Sequence, residues 1–129
     1  MEKKQLLRLS KRERQIMDII YMLGEATASD VLENLNEDVG DASIRKLIRV
    51  VEKKGYLMHR REGHSYVYMP VVSREEASRQ ALKHMLKTFF EGSAPKAVSA
   101  LLDITEGDLS ENDIGEISSL IREAEEKGR

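Results

Sequence analysis

The stretch Asp41-Ala42-Ser43-Ile44-Arg45-Lys46-Leu47-Ile48-Arg49-Val50-Val51-Glu52-Lys53-Lys54-Gly55 runs directly into Tyr56-Leu57-Met58-His59-Arg60-Arg61-Glu62-Gly63-His64-Ser65-Tyr66-Val67-Tyr68-Met69-Pro70. In the first part Ile44, Leu47, Ile48 and Val51 recur at i, i+3, i+4 and i+7, which predicts a helix starting near Asp41 with one buried face. Lys53 and Lys54 suit the negative end of the helix dipole, and Gly55 is a helix-terminating residue. Arg45, Lys46, Arg49 and Lys53 then fall largely on the opposite, open face. Beyond Gly55 the period changes. Tyr56–Arg61 and Ser65–Met69 are short β-prone runs on either side of Glu62-Gly63-His64, which predicts a hairpin whose turn is supplied by glycine and whose second strand is closed by Pro70.

Working back from this pair, Ser10 and Glu13 form a capping box for a first helix that runs to about Leu23, before Gly24. Ile16, Met17, Ile19, Ile20 and Leu23 mark its buried face. A second, short helix capped by Thr27 or Ser29 carries Val31, Leu32 and Leu35, stops at Asn36 and is followed by a polar connection to Gly40. Three helices and then a hairpin is the order of a winged helix-turn-helix.

Forward from the hairpin the helical period returns. Ser73 with Glu76 makes another capping box, and Ala77, Ala81, Leu82, Met85, Leu86 and Phe89 form an apolar stripe down to about Phe90. A Gly92-Ser93-Ala94-Pro95 break leads to a short helix with Ala97, Val98, Leu101 and Leu102. The last helix begins at Ser110, where Ile114, Ile117, Ile121 and Ala124 recur at spacings of 3, 4 and 3, the rhythm of a helix–helix seam. The expected class is mainly α with a minor β part: a winged helix-turn-helix DNA-binding domain over residues 1–72, then a three-helix dimerisation domain over 73–129. Leu82, Met85, Leu86, Phe89, Leu101, Leu102, Ile114, Ile117 and Ile121 are more apolar surface than a 57-residue tail covers alone, so a homodimer is expected.

The chain has 129 residues, 21 basic and 23 acidic, with 40% hydrophobic residues, a composition that supports a packed core and argues against disorder. It holds no cysteine, which excludes disulfides, thiolate metal sites and thiol nucleophiles. No apolar run approaches the ~18 residues of a membrane span, and Met1-Glu2-Lys3-Lys4-Gln5 does not open a signal peptide; a cytoplasmic location with no membrane partner is expected.

The net charge of −2 hides a segregation. Residues 21–40 carry five acids and no base, whereas residues 41–64 carry seven bases against three acids, a local +4. A basic patch on one face of an acidic chain points to a polyanion partner, and an outward basic face on a helix suits a major groove about 12 Å wide. Double-stranded operator DNA is the expected partner. Ser43, Arg45, Lys46, Arg49 and Lys53 of the third helix, with Arg60, Arg61 and His64 at the hairpin tip, are its candidate contacts. Arginine pairs bidentately with guanine, and the hairpin tip is placed for backbone phosphates.

Nothing resembles paired catalytic groups in a concave site, so no enzyme is expected. His59, His64 and His84 lack ligand spacing and read as polar surface residues, leaving no metal and no cofactor. Tyr66 and Tyr68 share a strand face and read as packing residues. Met17, Met22, Met58, Met69 and Met85 read as core fillers. The competing reading is a winged-helix protein–protein adaptor whose basic face meets an acidic partner; any regulatory partner is unknown.

Leu9-Ser10-Lys11-Arg12-Glu13-Arg14-Gln15-Ile16-Met17-Asp18-Ile19-Ile20, Gly24-Glu25-Ala26-Thr27, Glu52-Lys53-Lys54-Gly55-Tyr56-Leu57 and Tyr66-Val67-Tyr68-Met69-Pro70-Val71-Val72-Ser73 resemble the penicillinase-repressor family, which includes β-lactamase, methicillin-resistance and copper-responsive repressors. The resemblance extends to Phe89-Phe90-Glu91-Gly92-Ser93 and the tail from Leu109 to Glu125. It implies a homodimeric transcriptional repressor binding a dyad-symmetric operator with TACA and TGTA half-sites, its recognition positions falling on Ser43, Arg45, Lys46 and Arg49. Two departures qualify it. The C-terminal cysteine motif of the copper-type members is missing, and Val98-Ser99-Ala100-Leu101-Leu102-Asp103 lacks the Asn-Phe pair cleaved in the β-lactam-responsive members.

Overall fold

α1 (Lys11–Leu23) starts where Ser10 Oγ accepts the Glu13 N–H and the Glu13 carboxylate accepts the Ser10 N–H, the expected capping box. The computed structural model from which this is read describes residues 8–128; Met1–Gln5, on which the reading of the chain start rested, lies outside the described residues. α2 (Ala28–Asn34) is capped in the same manner by Thr27 and Asp30, which decides between the two caps expected there. α3 (Asp41–Lys53) buries Ile44, Ile48 and Val51 completely. With Ile16, Ile20 and Val31 they form the centre of the core, and each fully buried aliphatic side chain contributes about 1.5–3 kcal/mol of transfer free energy.

β1 (Leu57–Glu62) and β2 (Ser65–Pro70) pair antiparallel, with Glu62 opposite Ser65, so that the loop is two residues, Gly63-His64. Gly63 has φ +62°, the left-handed value that the first central position of such a tight turn demands and glycine meets without strain. Each strand runs one residue beyond expectation at its end, and Tyr56 lies outside β1. Ala26 pairs with Tyr68 through two backbone hydrogen bonds of 2.8 and 2.9 Å, adding the α1–α2 connection to the ribbon's edge.

Lys54, expected to serve the dipole of α3, instead reaches back 41 residues. Its ammonium sits 2.7 Å from Glu13 Oε1 and donates to the Arg8 carbonyl, tying the end of α3 to the start of α1. Glu13 is 5% exposed and is the buried charged residue of the core. The Lys54 hydrogen bond, then the Ser10 N–H, hold its pKa below the usual 4.5 despite burial. A carboxylate depressed in the folded state stabilises the fold above its unfolded pKa, and that stability is lost as pH falls through the folded value. Glu13→Ala, which removes the carboxylate half of the capping box and the ion pair of Lys54 while sparing the Ser10 Oγ cap, should cost about 1–3 kcal/mol, read as a lowered urea midpoint at neutral pH. The gap between wild type and Glu13→Gln should shrink below pH 4.5; a gap that stays constant down to acid pH would show that the Glu13 charge does not stabilise the fold.

The chain divides into two compact units, Met1–Gln80 and Ala81–Arg129. α4 (Arg74–Phe89) begins in the first, where Tyr21 Oη donates to the Val72 carbonyl at 2.8 Å and Arg74 donates to the Tyr21 and Met22 carbonyls. That guanidinium supplies the positive charge that the last turn of α1 lacks. Ser73 Oγ accepts the Glu76 N–H, while the Glu76 carboxylate accepts from Gln80 and Arg79.

The second unit holds the rest of α4, α5 (Ala94–Ile104) and α6 (Glu111–Lys127). Ser93 caps α5, and Ser110 with Asp113 forms the capping box of α6. None of residues 81–128 is buried. The reading of the methionines as core fillers fails for three of them: Met22 is 72% exposed, and Met58 and Met85 are about half exposed. Leu23, expected on the buried face of α1, is exposed as well. Met22 and Leu23 lie at the end of α1 and Met58 on the outer face of the ribbon, while Met85 belongs to the apolar stripe of α4, none of which is buried within one chain. No described helix is long and apolar enough to cross a membrane.

Candidate nucleic-acid interface

The inner face of α3 is set by its buried aliphatics, and that choice dictates what the outer face presents. Ser43, Arg45, Lys46, Arg49 and Lys53 are all exposed. Arg45 is held by Asp41 one turn earlier, its Nε 3.0 and 3.1 Å from the carboxylate oxygens. Among the described residues no carboxylate lies within ion-pairing distance of Lys46, Arg49 or Lys53.

Side chains alternate along β1 and face the same way as their partners opposite on β2. The register therefore groups Leu57, His59 and Arg61 with Tyr66, Tyr68 and Pro70 on one face of the ribbon, and Met58, Arg60 and Glu62 with Ser65, Val67 and Met69 on the other. The first face meets α3. A cleft there is lined by Arg45, Arg49 and Glu52 of α3, Arg61, His64 and Tyr66 of the hairpin, and Thr27 and Ser29 at the head of α2.

His59 joins the two walls. Its Nδ1 is 2.5 Å from Glu52 Oε2, and its ring lies 4.4 Å from Tyr66 and 5.6 Å from Tyr68 between centroids. His59 is exposed, as expected of a surface histidine, and its ring also packs against the ribbon's tyrosines beside a carboxylate of α3. Tyr68 is 6% exposed, and burial, then the Glu52 charge, raise its phenol pKa.

The two arginines expected together at the hairpin tip are separated. Arg61 lines the cleft and donates to the Gly63 carbonyl. Arg60 faces away and lies against Glu25 and Glu62, which hold its guanidinium protonated; the Arg60 hydrogen bonds pull the Glu25 pKa down in return. Of the candidate contacts, Arg45, Arg49, Arg61 and His64 therefore share one cleft, Ser43, Lys46 and Lys53 stand exposed on the same helix, and Arg60 is on the other side of the ribbon. Thr27, Ser29, His59 and Tyr66 were not among them. For His59 and Tyr66 the strand period was a usable signal, since both share a face with Arg61. For Thr27 and Ser29 none existed, because their place in the cleft depends on how α2 packs against α3.

The family described as penicillinase repressor matches residues 9–123. The methicillin resistance regulatory protein MecI of Staphylococcus aureus is 24% identical over 115 residues, covering 88% of this chain and 92% of its own. The penicillinase repressor of Bacillus licheniformis is 24% identical over 123 residues, covering 93% and 94%. Among solved structures, one described as a mechanism for regulation of DNA binding of Bordetella bronchiseptica BpsR by 6-hydroxynicotinic acid covers 95% of this chain and 82% of its own at 16% identity, with a TM-score of 0.47.

Proposed function

The chain belongs to the penicillinase repressor family, a family of DNA-binding transcriptional repressors and not of enzymes, and on that footing we propose that it works as a homodimer on a dyad-symmetric operator. In this reading residues 1–72 recognise DNA and 73–129 associate. Each protomer sets α3 in a major groove, with Ser43, Arg45, Lys46, Arg49 and Lys53 toward the bases and flanking phosphates, and lays Arg61 and His64 on the adjoining backbone. The observation that carries the proposal is the one-sided arrangement: three fully buried aliphatics fix α3 from within, while its cationic outer face and one face of the ribbon border a common cleft.

Selection from a random duplex pool tests it. The expected product is an imperfect palindrome that is bound far better than random DNA; a pool without enrichment would favour an adaptor instead. Arg49→Ala should then cost about 1–3 kcal/mol at one base position of each half-site, whereas Lys46→Ala, as a phosphate contact, should weaken all sequences alike and lower the salt slope by about one per protomer. Both residues are exposed, so the fold should persist. Unchanged affinity in both variants would mean that α3 is not in the groove.

A further inference from the structure

Arg60 is the most heavily engaged cation of the hairpin, and what engages it lies on the side away from α3. Its Nη1 and Nη2 donate to the two oxygens of Glu25 at 2.9 and 2.8 Å, while Nε and Nη2 donate to Glu62 Oε2 at 2.9 and 2.7 Å. Glu25 directly precedes Ala26, whose isolated bridge to Tyr68 holds the α1–α2 connection against the free edge of β2. The guanidinium on β1 thus spans β2, on the face that carries Val67, and reaches the far edge.

Two consequences follow. One arginine against two carboxylates leaves a local charge of −1, so a phosphate approaching that face meets net repulsion and a fork whose donors are already satisfied. Mechanically, a two-stranded ribbon is marginal by itself, and its turn end is open to solvent: Glu62 through Tyr66 are all exposed. The Glu25 pair ties that end of β1 to the helical part of the unit. Both side chains are nearly half exposed, so the pair adds little to global stability; its effect is on where the ribbon's end stands.

We propose that Arg60 is a positioning residue of the wing, tying β1 to Glu25 across β2 so that Arg61 and His64 stand on the DNA side, and that it makes no phosphate contact itself. The proposal rests on the DNA-binding reading above. It differs from the simplest reading of the basic tip in the sign of an effect. Were Arg60 a phosphate contact, neutralising Glu25 would free it and strengthen binding; as a tie, the same change weakens binding.

The test titrates the full chain against the selected dyad duplex over a range of salt, for wild type, Arg60→Gln, Glu25→Gln, Arg61→Gln and the exchanged pair Glu25→Arg/Arg60→Glu, with amide hydrogen exchange of Glu62–Tyr66 followed in the free proteins. Arg61→Gln should lower the salt slope by about one per protomer. Arg60→Gln and Glu25→Gln should each weaken binding roughly threefold to tenfold, about 0.6–1.4 kcal/mol, with the slope unchanged and exchange at the turn accelerated. The exchanged pair should recover slow exchange and most of the affinity. Tighter binding by Glu25→Gln, a slope lowered by about one in Arg60→Gln, or turn exchange unaltered by either change would overturn the proposal. Should wild type prefer no duplex, the DNA reading falls by itself, while the exchange data still decide whether the tie holds the wing.

Discussion

Ile121→Asp is expected to convert the protein to a monomer at micromolar concentration and to lower operator affinity by roughly 10²–10⁴-fold, the range that separates one linked pair of sites from a single site. Ile121 is 57% exposed within one chain, and apolar side chains of α4 and α5 are open as well: Leu82 at 65%, Phe89 at 72% and Leu101 at 55%. A side chain already open to water contributes little to the fold of its own protomer, so an aspartate there acts on association. A seam of isoleucines at helical spacing, by contrast, cannot bury an unpaired carboxylate without a cost of several kcal/mol. Because none of residues 81–128 is buried in the single chain, dimerisation and the stability of these helices should be coupled, and the melting temperature of wild type should rise with concentration. Sedimentation equilibrium checks both points. A monomeric wild type, or an Ile121→Asp variant that remains a dimer, would place the interface elsewhere or abolish it.

Inserting about half a helical turn, roughly 5 bp, between the half-sites is the second large effect expected. Two α3 helices related by a two-fold axis enter successive major grooves about 34–36 Å apart. Half a turn swings one half-site to the far side of the duplex, and the expected affinity falls to that of a single half-site. A flexible joint could rescue binding, and Pro70–Ser73 is where the element order leaves room for one. That segment is bonded on its first-unit side: Val71 N–H donates to the Tyr56 carbonyl at 3.0 Å, Val72 accepts from Tyr21, and Arg74 grips the last carbonyls of α1. The entry into α4 is therefore fixed on the winged helix, and the insertion should be tolerated poorly. Electrophoretic retardation with the paired duplexes reads this directly; equal affinity for both would point to monomeric binding or to compliance further along α4.

The helices and the hairpin were legible in the chain because their determinants are local. A capping box needs residues three apart, as at Ser10 and Glu13 or Ser110 and Asp113. A buried face needs a repeat within seven, as at Ile44, Leu47, Ile48 and Val51. The hairpin needs a glycine where φ must be positive. Each of these is decided by neighbours that the sequence itself places in contact. The outward basic face of α3 follows from the same repeat, since what is not turned inward is turned out.

What tertiary structure alone decided is which distant charges meet. Glu13 is a capping residue by its spacing, yet that it also holds Lys54 depends on the end of α3 arriving beside the start of α1, 41 positions away. Arg60 and Arg61 are neighbours in a basic run, and the strand period already requires them to point oppositely; which one faces α3, and that Glu25 waits 35 positions away for the other, depends on the Ala26 bridge to β2. An ion pair has little directional preference and no period, so its partners cannot be read from spacing. The packed core fixes them, by bringing together segments whose charges had no local reason to be matched.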